Sequence, residues 1–283
     1  MALDLDIVGS TFAPTERSWT STDCLLYALG VGSGSPSADH ELEFTTEHSI
    51  GRPQRVLPTM AAVLGAGAPP RDRIGSFDPA MLLHGEQGIE LFGPIPPTGS
   101  VRTTATITGI FDKGSGALVV TESTSVHITD DRPAWTTTNA LFIRGEGGFG
   151  GNRGPATTTL PPPDSPPDHV VTYATRDDQA LLYRLSGDRN PLHSDPEFAR
   201  RAGFDRPILH GLCTYGITGR ALLHTLCGSD PGRFTSMHGR FSRPTYPGES
   251  LTVSMWVDGP MARFRTVSQT GSTVIDQGVF RFR

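Results

Sequence analysis

The feature that most restricts the fold is a breaker-rich stretch near the middle of the chain. Residues 145–155 read Gly-Glu-Gly-Gly-Phe-Gly-Gly-Asn-Arg-Gly-Pro, and after five more residues 161–167 read Pro-Pro-Pro-Asp-Ser-Pro-Pro. Glycine leaves the backbone unconstrained and proline removes a hydrogen-bond donor, so neither a helix nor a strand ladder spans such a run. It reads as a crossing linker, 146–167, between an N-terminal unit, 1–145, and a C-terminal unit, 168–283. A chain of 283 residues has the length of about two domains, and units of this size can each bury a core.

The two units read as diverged copies of one fold. Leu25-Leu-Tyr-Ala-Leu-Gly-Val-Gly32 aligns with Leu181-Leu-Tyr-Arg-Leu-Ser-Gly-Asp188. In the same order, Leu83-His84-Gly85 aligns with Met237-His238-Gly239, and Gly99-Ser100-Val101 with Gly248-Glu249-Ser250-Leu251. In the C-terminal unit, Asp177 and Asp178 suit the first turn of a helix running to about Leu185. A longer helix is predicted over 211–226, with Leu212, Tyr215, Gly219, Leu222 and Leu226 on one face. Its Gly216 and Gly219 are expected to let a sheet approach closely. Four short strand-like runs follow, at 234–242, 250–257, 261–269 and 273–282. In the N-terminal unit, Val101, Thr103, Ala105 and Ile107 alternate with polar residues, and Asp112-Lys-Gly-Ser-Gly116 has the composition of a hairpin turn. Helix followed by consecutive antiparallel strands predicts an α+β fold, a sheet wrapped on one helix in each unit.

Composition excludes several classes of function. The net charge is −5, from 29 acidic against 24 basic residues, which argues against nucleic-acid binding. Lys113 is the single lysine; arginine bias of this strength reads as genome composition more readily than as an anion site. The longest nearly apolar run, 60–68, is far short of the roughly 20 residues of a membrane helix, so no membrane insertion is expected. The first residues are acidic where a signal peptide would be basic, and the last three, Arg-Phe-Arg, match no targeting tag. Cys24, Cys213 and Cys227 are too widely spaced for a zinc motif and read as reduced thiols of a cytoplasmic protein.

The chemistry concentrates in residues 183–193, Tyr-Arg-Leu-Ser-Gly-Asp-Arg-Asn-Pro-Leu-His. Gly187 lets the chain turn out of a helix and Pro191 prevents its renewal, which puts Asp188, Asn190 and His193 on a short rigid loop. An Asp and a His so placed can converge on one water molecule and move protons to and from it. Asn190 can orient either partner. Pro207-Ile-Leu-His-Gly-Leu212 follows, with Gly211 opening the long helix. The first N–H groups of a helix lack internal partners and favour negative charge, so the Gly211 N–H suits a carbonyl oxygen that becomes anionic. His210 reads as a structural histidine capping that helix, and His84 and His238, matched between units, read as fold residues. Asp188, His193, Asp195 and His210 fit no zinc spacing, so no metal is expected.

These two segments together resemble the signature of the hydratase 2 family, the (R)-specific 2-enoyl-CoA hydratases and MaoC-like dehydratases. The resemblance covers nearly the whole chain, with Val56-Leu-Pro-Thr59, Leu83-His-Gly-Glu-Gln87, Gly147-Gly-Phe-Gly-Gly151 and Tyr246-Pro-Gly248 in support. It implies a double hot dog fold, with central helices over about 56–66 and 211–226. It implies catalysis by Asp188 and His193, positioning by Asn190, and an oxyanion donor at Gly211. A functional glutamate of the family falls, more loosely, on Glu47. The N-terminal unit has Val31-Gly-Ser-Gly-Ser-Pro-Ser37 where the motif stands, without Asp or His, so one active site per chain is expected. The resemblance further implies an acyl-CoA or acyl carrier protein thioester as substrate, no cofactor beyond the coenzyme A of the substrate, and a homodimer. Arg240 and Arg243 are candidates for the coenzyme A phosphates. A hot dog thioesterase and a non-catalytic acyl-thioester binding subunit are the alternatives; the intact Asp188–His193 segment argues against both.

Overall fold

The computed structural model describes residues 3–65, 71–154 and 162–283. The N-terminal unit runs β1 (Thr15–Trp19), α1 (Ser21–Gly30), the single turns α2 (Leu42–Thr45), α3 (Ala61–Leu64) and α4 (Arg71–Ile74), then β2 (Leu82–Leu91), β3 (Gly99–Asp112), β4 (Gly116–His127) and β5 (Pro133–Arg144). The C-terminal unit runs β6 (His169–Ala174), α5 (Gln179–Tyr183), α6 (Pro196–Arg201), α7 (Gly211–Cys227), then β7 (Phe234–Phe241), β8 (Ser250–Asp258), β9 (Met261–Ser268) and β10 (Thr273–Phe282).

Among the described residues the strands join into one ten-stranded antiparallel sheet, ordered β1-β3-β4-β5-β2-β7-β10-β9-β8-β6. Read outward from its centre, one side is β2-β5-β4-β3-β1 and the other β7-β10-β9-β8-β6. The two sides repeat the same chain order, so an approximate twofold passes between β2 and β7, where Glu86 faces Arg240 and Gly88 faces His238. This is the expected double hot dog, and the duplication read from three short alignments is visible in the strand order.

The two units differ most in their helices. Helix α7 is buried on nearly all sides: Cys213, Tyr215, Ile217, Ala221, Leu222 and Leu223 are at most 1% exposed, and even Arg220 is 2% exposed. The sequence suggested one apolar face; the helix is instead enclosed by its own sheet and by the N-terminal unit. Its glycines serve that second contact. A Cβ on Gly216 would lie 2.5 Å from Val31 Cγ1, and one on Gly219 would lie 2.3 Å from Thr59 Cγ2. The close approach is thus to the other unit rather than to a sheet.

The N-terminal counterpart is not the continuous helix expected over 56–66. A 3-10 turn, Pro58–Met60, leads into the four-residue α3, which ends at Gly65. The backbone of Gly65 passes so near Trp135 that a Cβ would meet the indole nitrogen at 2.3 Å, and its carbonyl accepts from Thr137. Residue 66 of the predicted span lies outside the described residues.

The glycine stretch 145–154 holds no regular structure but is anchored. The Asp112 carboxylate, at the hairpin turn, accepts from the N–H groups of Gly114, Gly148 and Gly150, each at 2.8 Å, and these bonds hold its pKa below the usual carboxylate value. Residues 155–161 of the predicted linker lie outside the described residues. No helix among those described is long and apolar enough to cross a membrane.

Filling the α7 contact tests this packing. Gly219→Ala gains helix propensity of up to about 1 kcal/mol, but overpacking costs typically about 1–3 kcal/mol. We expect a net loss of stability, measured by urea unfolding; a variant more stable than the parent would remove the tight contact with Thr59.

Candidate active site

Helix α5 closes in a 3-10 turn, Arg184–Ser186, and the chain leaves it through Gly187 at φ +132°, a conformation that side chains rarely adopt. The loop beyond is held by its own polar groups. The Asn190 N–H donates to Asp188 Oδ1 at 3.1 Å, and the Leu192 N–H donates to Asn190 Oδ1 at 3.1 Å. Asn190 thereby caps the 3-10 turn Pro191–His193, which carries the histidine. Its side-chain oxygen is committed to that cap, so it orders the loop through the backbone.

His193 is 7% exposed, and its Nδ1 lies 2.9 Å from the Ile208 carbonyl. A carbonyl only accepts, so Nδ1 carries the proton and Nε2 keeps its lone pair. Burial lowers the pKa of His193, which favours this neutral form. Asp188, Asn190, His193 and Gly211 all line one cleft of about 360 Å³. Leu83, Leu141, Phe204, Leu212 and Val274 give it apolar walls. Gly211 is the first residue of α7, and Phe241 would stand 3.3 Å from a Cβ there, so glycine keeps the helix N-terminus open to the cleft.

The N-terminal unit also reaches this cleft. His84, on β2, lines it, packs edge-on against Phe241 with ring centroids 4.9 Å apart, and donates from Nε2 to the Glu86 carbonyl at 3.0 Å. Desolvation lowers its pKa to about 4, so it stays neutral near pH 7. The sequence reading assigned His84 to the fold; its pairing with the non-lining His238 hid its place at the site.

The remaining candidates divide. Arg243 lines the cleft, together with Arg144, which sequence reasoning missed. Arg240 is exposed on β7 opposite Glu86 and does not line it. Asp195 caps α6, accepting from the Glu197 and Phe198 N–H groups. Glu47 is exposed just after α2 and does not line the cleft. Asp188, His193 and His210 bring ligand atoms within 4.8 Å of one another. However, the two imidazoles are stacked 3.7 Å apart at 28°, and an ion must lie in the plane of each ring that binds it. These near-parallel rings do not converge on one cation.

The acid built into the structure is Glu41, which the sequence reading passed over. Its carboxylate pairs with Arg220 Nη2 at 2.6 Å and with His224 Nε2 at 2.5 Å, and it accepts from the Gly34 N–H at 3.1 Å. Arg220 also donates to the Val31 carbonyl at 2.9 Å and lies over the Tyr173 ring. The loop after α1, counterpart of the Asp188–His193 loop after α5, is thus tied to α7, and none of its residues lines the cleft.

This fold, with Asp188 and His193 lining one cleft, defines the class as an acyl-thioester hydro-lyase of the double hot dog type. Comparison with known proteins agrees. Residues 18–145 match the MFE-2 hydratase 2 N-terminal domain model, and residues 158–278 match the MaoC like domain model. The chain is 46% identical over 270 residues to 3-hydroxyacyl-thioester dehydratase Y of Mycobacterium tuberculosis, covering 94% of this chain and 92% of the relative. It is 45% identical over 266 residues to enoyl-CoA hydratase ChsH3 of the same organism, covering 92% and 91%. The crystal structure of a MaoC-like dehydratase from Phytophthora capsici superposes with a TM-score of 0.88 at 32% identity, covering 99% of this chain and 98% of that one. The chain belongs to the MaoC-like hydratase 2 family.

The Glu41–Arg220 pair generates a stability prediction. Burial alone would raise the Glu41 pKa, but its bonds to His224 and Arg220 outweigh that and bring it to about 2, against an ordinary 4.5. A depressed folded pKa contributes stability that is present above pH 4.5 and is lost as the pH falls toward 2. Glu41→Ala leaves Arg220 as an unpaired buried charge and is expected to cost about 3–5 kcal/mol in urea unfolding at pH 7. A cost under about 1 kcal/mol would show that the pair holds little together.

Proposed function

We propose that this chain catalyses the reversible hydration of trans-2-enoyl thioesters to (3R)-3-hydroxyacyl thioesters in fatty acyl metabolism. The observation that carries the reading is the shared wall of one apolar cleft, where Asp188, the neutral His193 and the N-terminus of α7 meet. A water held between the Asp188 carboxylate and His193 Nε2 gives up a proton to this pair as its oxygen bonds to C3 of the enoyl chain. The electron pair of the double bond moves onto the thioester oxygen, which the Gly211 N–H and the helix dipole stabilise. The pair returns a proton to C2 on the same face, and the enolate collapses to the saturated thioester. The thioester is itself the electron sink, so the reaction calls for no metal and no redox cofactor.

The substrate is an acyl thioester of coenzyme A or of an acyl carrier protein. The arginines at the cleft, Arg144 and Arg243, suit the phosphate that both carriers share. The apolar walls suit the acyl chain. Three buried free cysteines support a reducing, cytoplasmic setting. A homodimer is the assembly we take from the family resemblance.

The test is incubation with a trans-2-enoyl-CoA, following loss of the conjugated double bond and the configuration at C3. We expect the (3R)-hydroxyacyl product, and in Asp188→Asn a loss of roughly 10²–10⁴ in kcat with folding retained. Release of free coenzyme A instead would favour the thioesterase alternative. Because burial lowers the His193 pKa, the base stays unprotonated to below the ordinary histidine value of 6.5. The acid limb of kcat/KM should therefore fall below pH 6.5; a limb above it would assign the base elsewhere.

A further inference from the structure

His210 is fully buried and sits at the N-cap of α7, yet its side chain makes no capping bond to the helix. The sequence reading of a helix-capping histidine is therefore corrected. The usual N-cap residues are short and return their oxygen to the first N–H groups. Here the imidazole turns the other way and leaves those groups free for an anionic ligand. Its Nε2 lies 3.3 Å from the backbone carbonyl of Asp188, and because a carbonyl only accepts, Nε2 carries the proton. One face of the ring stacks on His193 at 3.7 Å. Tyr183 packs at 4.9 Å between centroids.

This leaves Nδ1 as an acceptor, buried and without a partner among the described residues. The Tyr183 hydroxyl, a donor, is buried and without a partner as well. A buried donor and a buried acceptor on adjacent rings each carry a desolvation cost, which a hydrogen bond between them, direct or through one water, would relieve. Such a bond would reinforce the tautomer that the Asp188 carbonyl already selects. Burial, with the adjacent His193 and Arg184 disfavouring a second positive charge, brings the His210 pKa to about 2.

Three candidate roles follow from this placement, and two fail. His210 does not line the cleft, so it does not touch the substrate. The stacked rings do not chelate an ion. What remains is control of the two groups that do the chemistry. We propose that His210 is a positioning residue for the hydration, an imidazole that ties the Asp188 loop to the oxyanion helix and backs the ring of His193. The Asp188 carboxylate and the Gly211 N–H must be registered against one substrate, and they lie on separate segments of chain. His210 is joined covalently to Gly211 and by its hydrogen bond to Asp188, so it spans that gap directly. A displacement of one ångström at a reacting group is enough to cost about 10²-fold in rate.

The inference rests on the hydratase reading, and its test has one arm that does not. In the whole protein, His210→Phe keeps a ring against His193 but has no N–H for the Asp188 carbonyl. We expect kcat to fall at least tenfold per folded molecule, with KM within about twofold of the parent. His210→Gln offers an amide N–H at similar reach and should recover most of that kcat. A Phe variant within twofold of the parent in kcat, or a Gln variant no better than Phe, overturns the proposal. The second arm needs neither a variant nor a substrate. Nitrogen-15 NMR of the parent should show His210 neutral, with the proton on Nε2, from pH 5 to pH 9. A midpoint inside that range, or the proton on Nδ1, overturns it too. If the parent fails to hydrate enoyl thioesters, the activity reading falls while the tautomer measurement still decides the His210 bond.

Discussion

The structure depends on how α7 is held. A helix buried on almost every side takes its cationic residue, Arg220, into the interior with it, and the charge is tolerable only because Glu41 comes with it at 2.6 Å. That carboxylate belongs to the other unit. The ion pair therefore ties α7, whose first residue lines the cleft, to the loop after α1. The two units differ accordingly: one loop lines the cleft and its counterpart anchors α7.

The sheet supplies the second constraint. The units meet edge to edge at β2 and β7, which places His84 of the N-terminal unit beside Phe241 and within the cleft of the C-terminal unit. Phe241 in turn stands over Gly211, where a Cβ would press on its ring at 3.3 Å. The cleft is therefore composite, although Asp188, His193 and Gly211 all come from one half of the chain.

Much of this was legible in the residues. Period-two alternation in β3, the hairpin at Asp112–Gly116 and the four C-terminal strands follow from local pattern, and the observed strands end within a residue of their predicted bounds. The Asp188–His193 loop was legible because Gly187 and Pro191 act locally on the backbone. What was not legible depends on partners distant in sequence. Nothing local distinguishes Glu41 from the exposed Glu47; only Arg220, 179 residues away, does so. The 56–66 helix was expected by analogy; where α3 ends, Gly65 passes close to Trp135, again a tertiary contact. The direction in which His210 points is likewise set by the Asp188 carbonyl and not by its place before a helix.

The joint between the halves also decides what either half could be by itself. Two identical subunits meeting at the same strand edge could be made, exchanged and lost independently. Here Gly216 and Gly219 are fitted to Val31 and Thr59, and Arg220 is matched by an acid across the joint. A gene cut back to its C-terminal half would encode a strand with an open edge and a helix with a stranded cation. The packing seen here therefore exists only while the two halves are joined, and each half alone would expose surface that the other now covers.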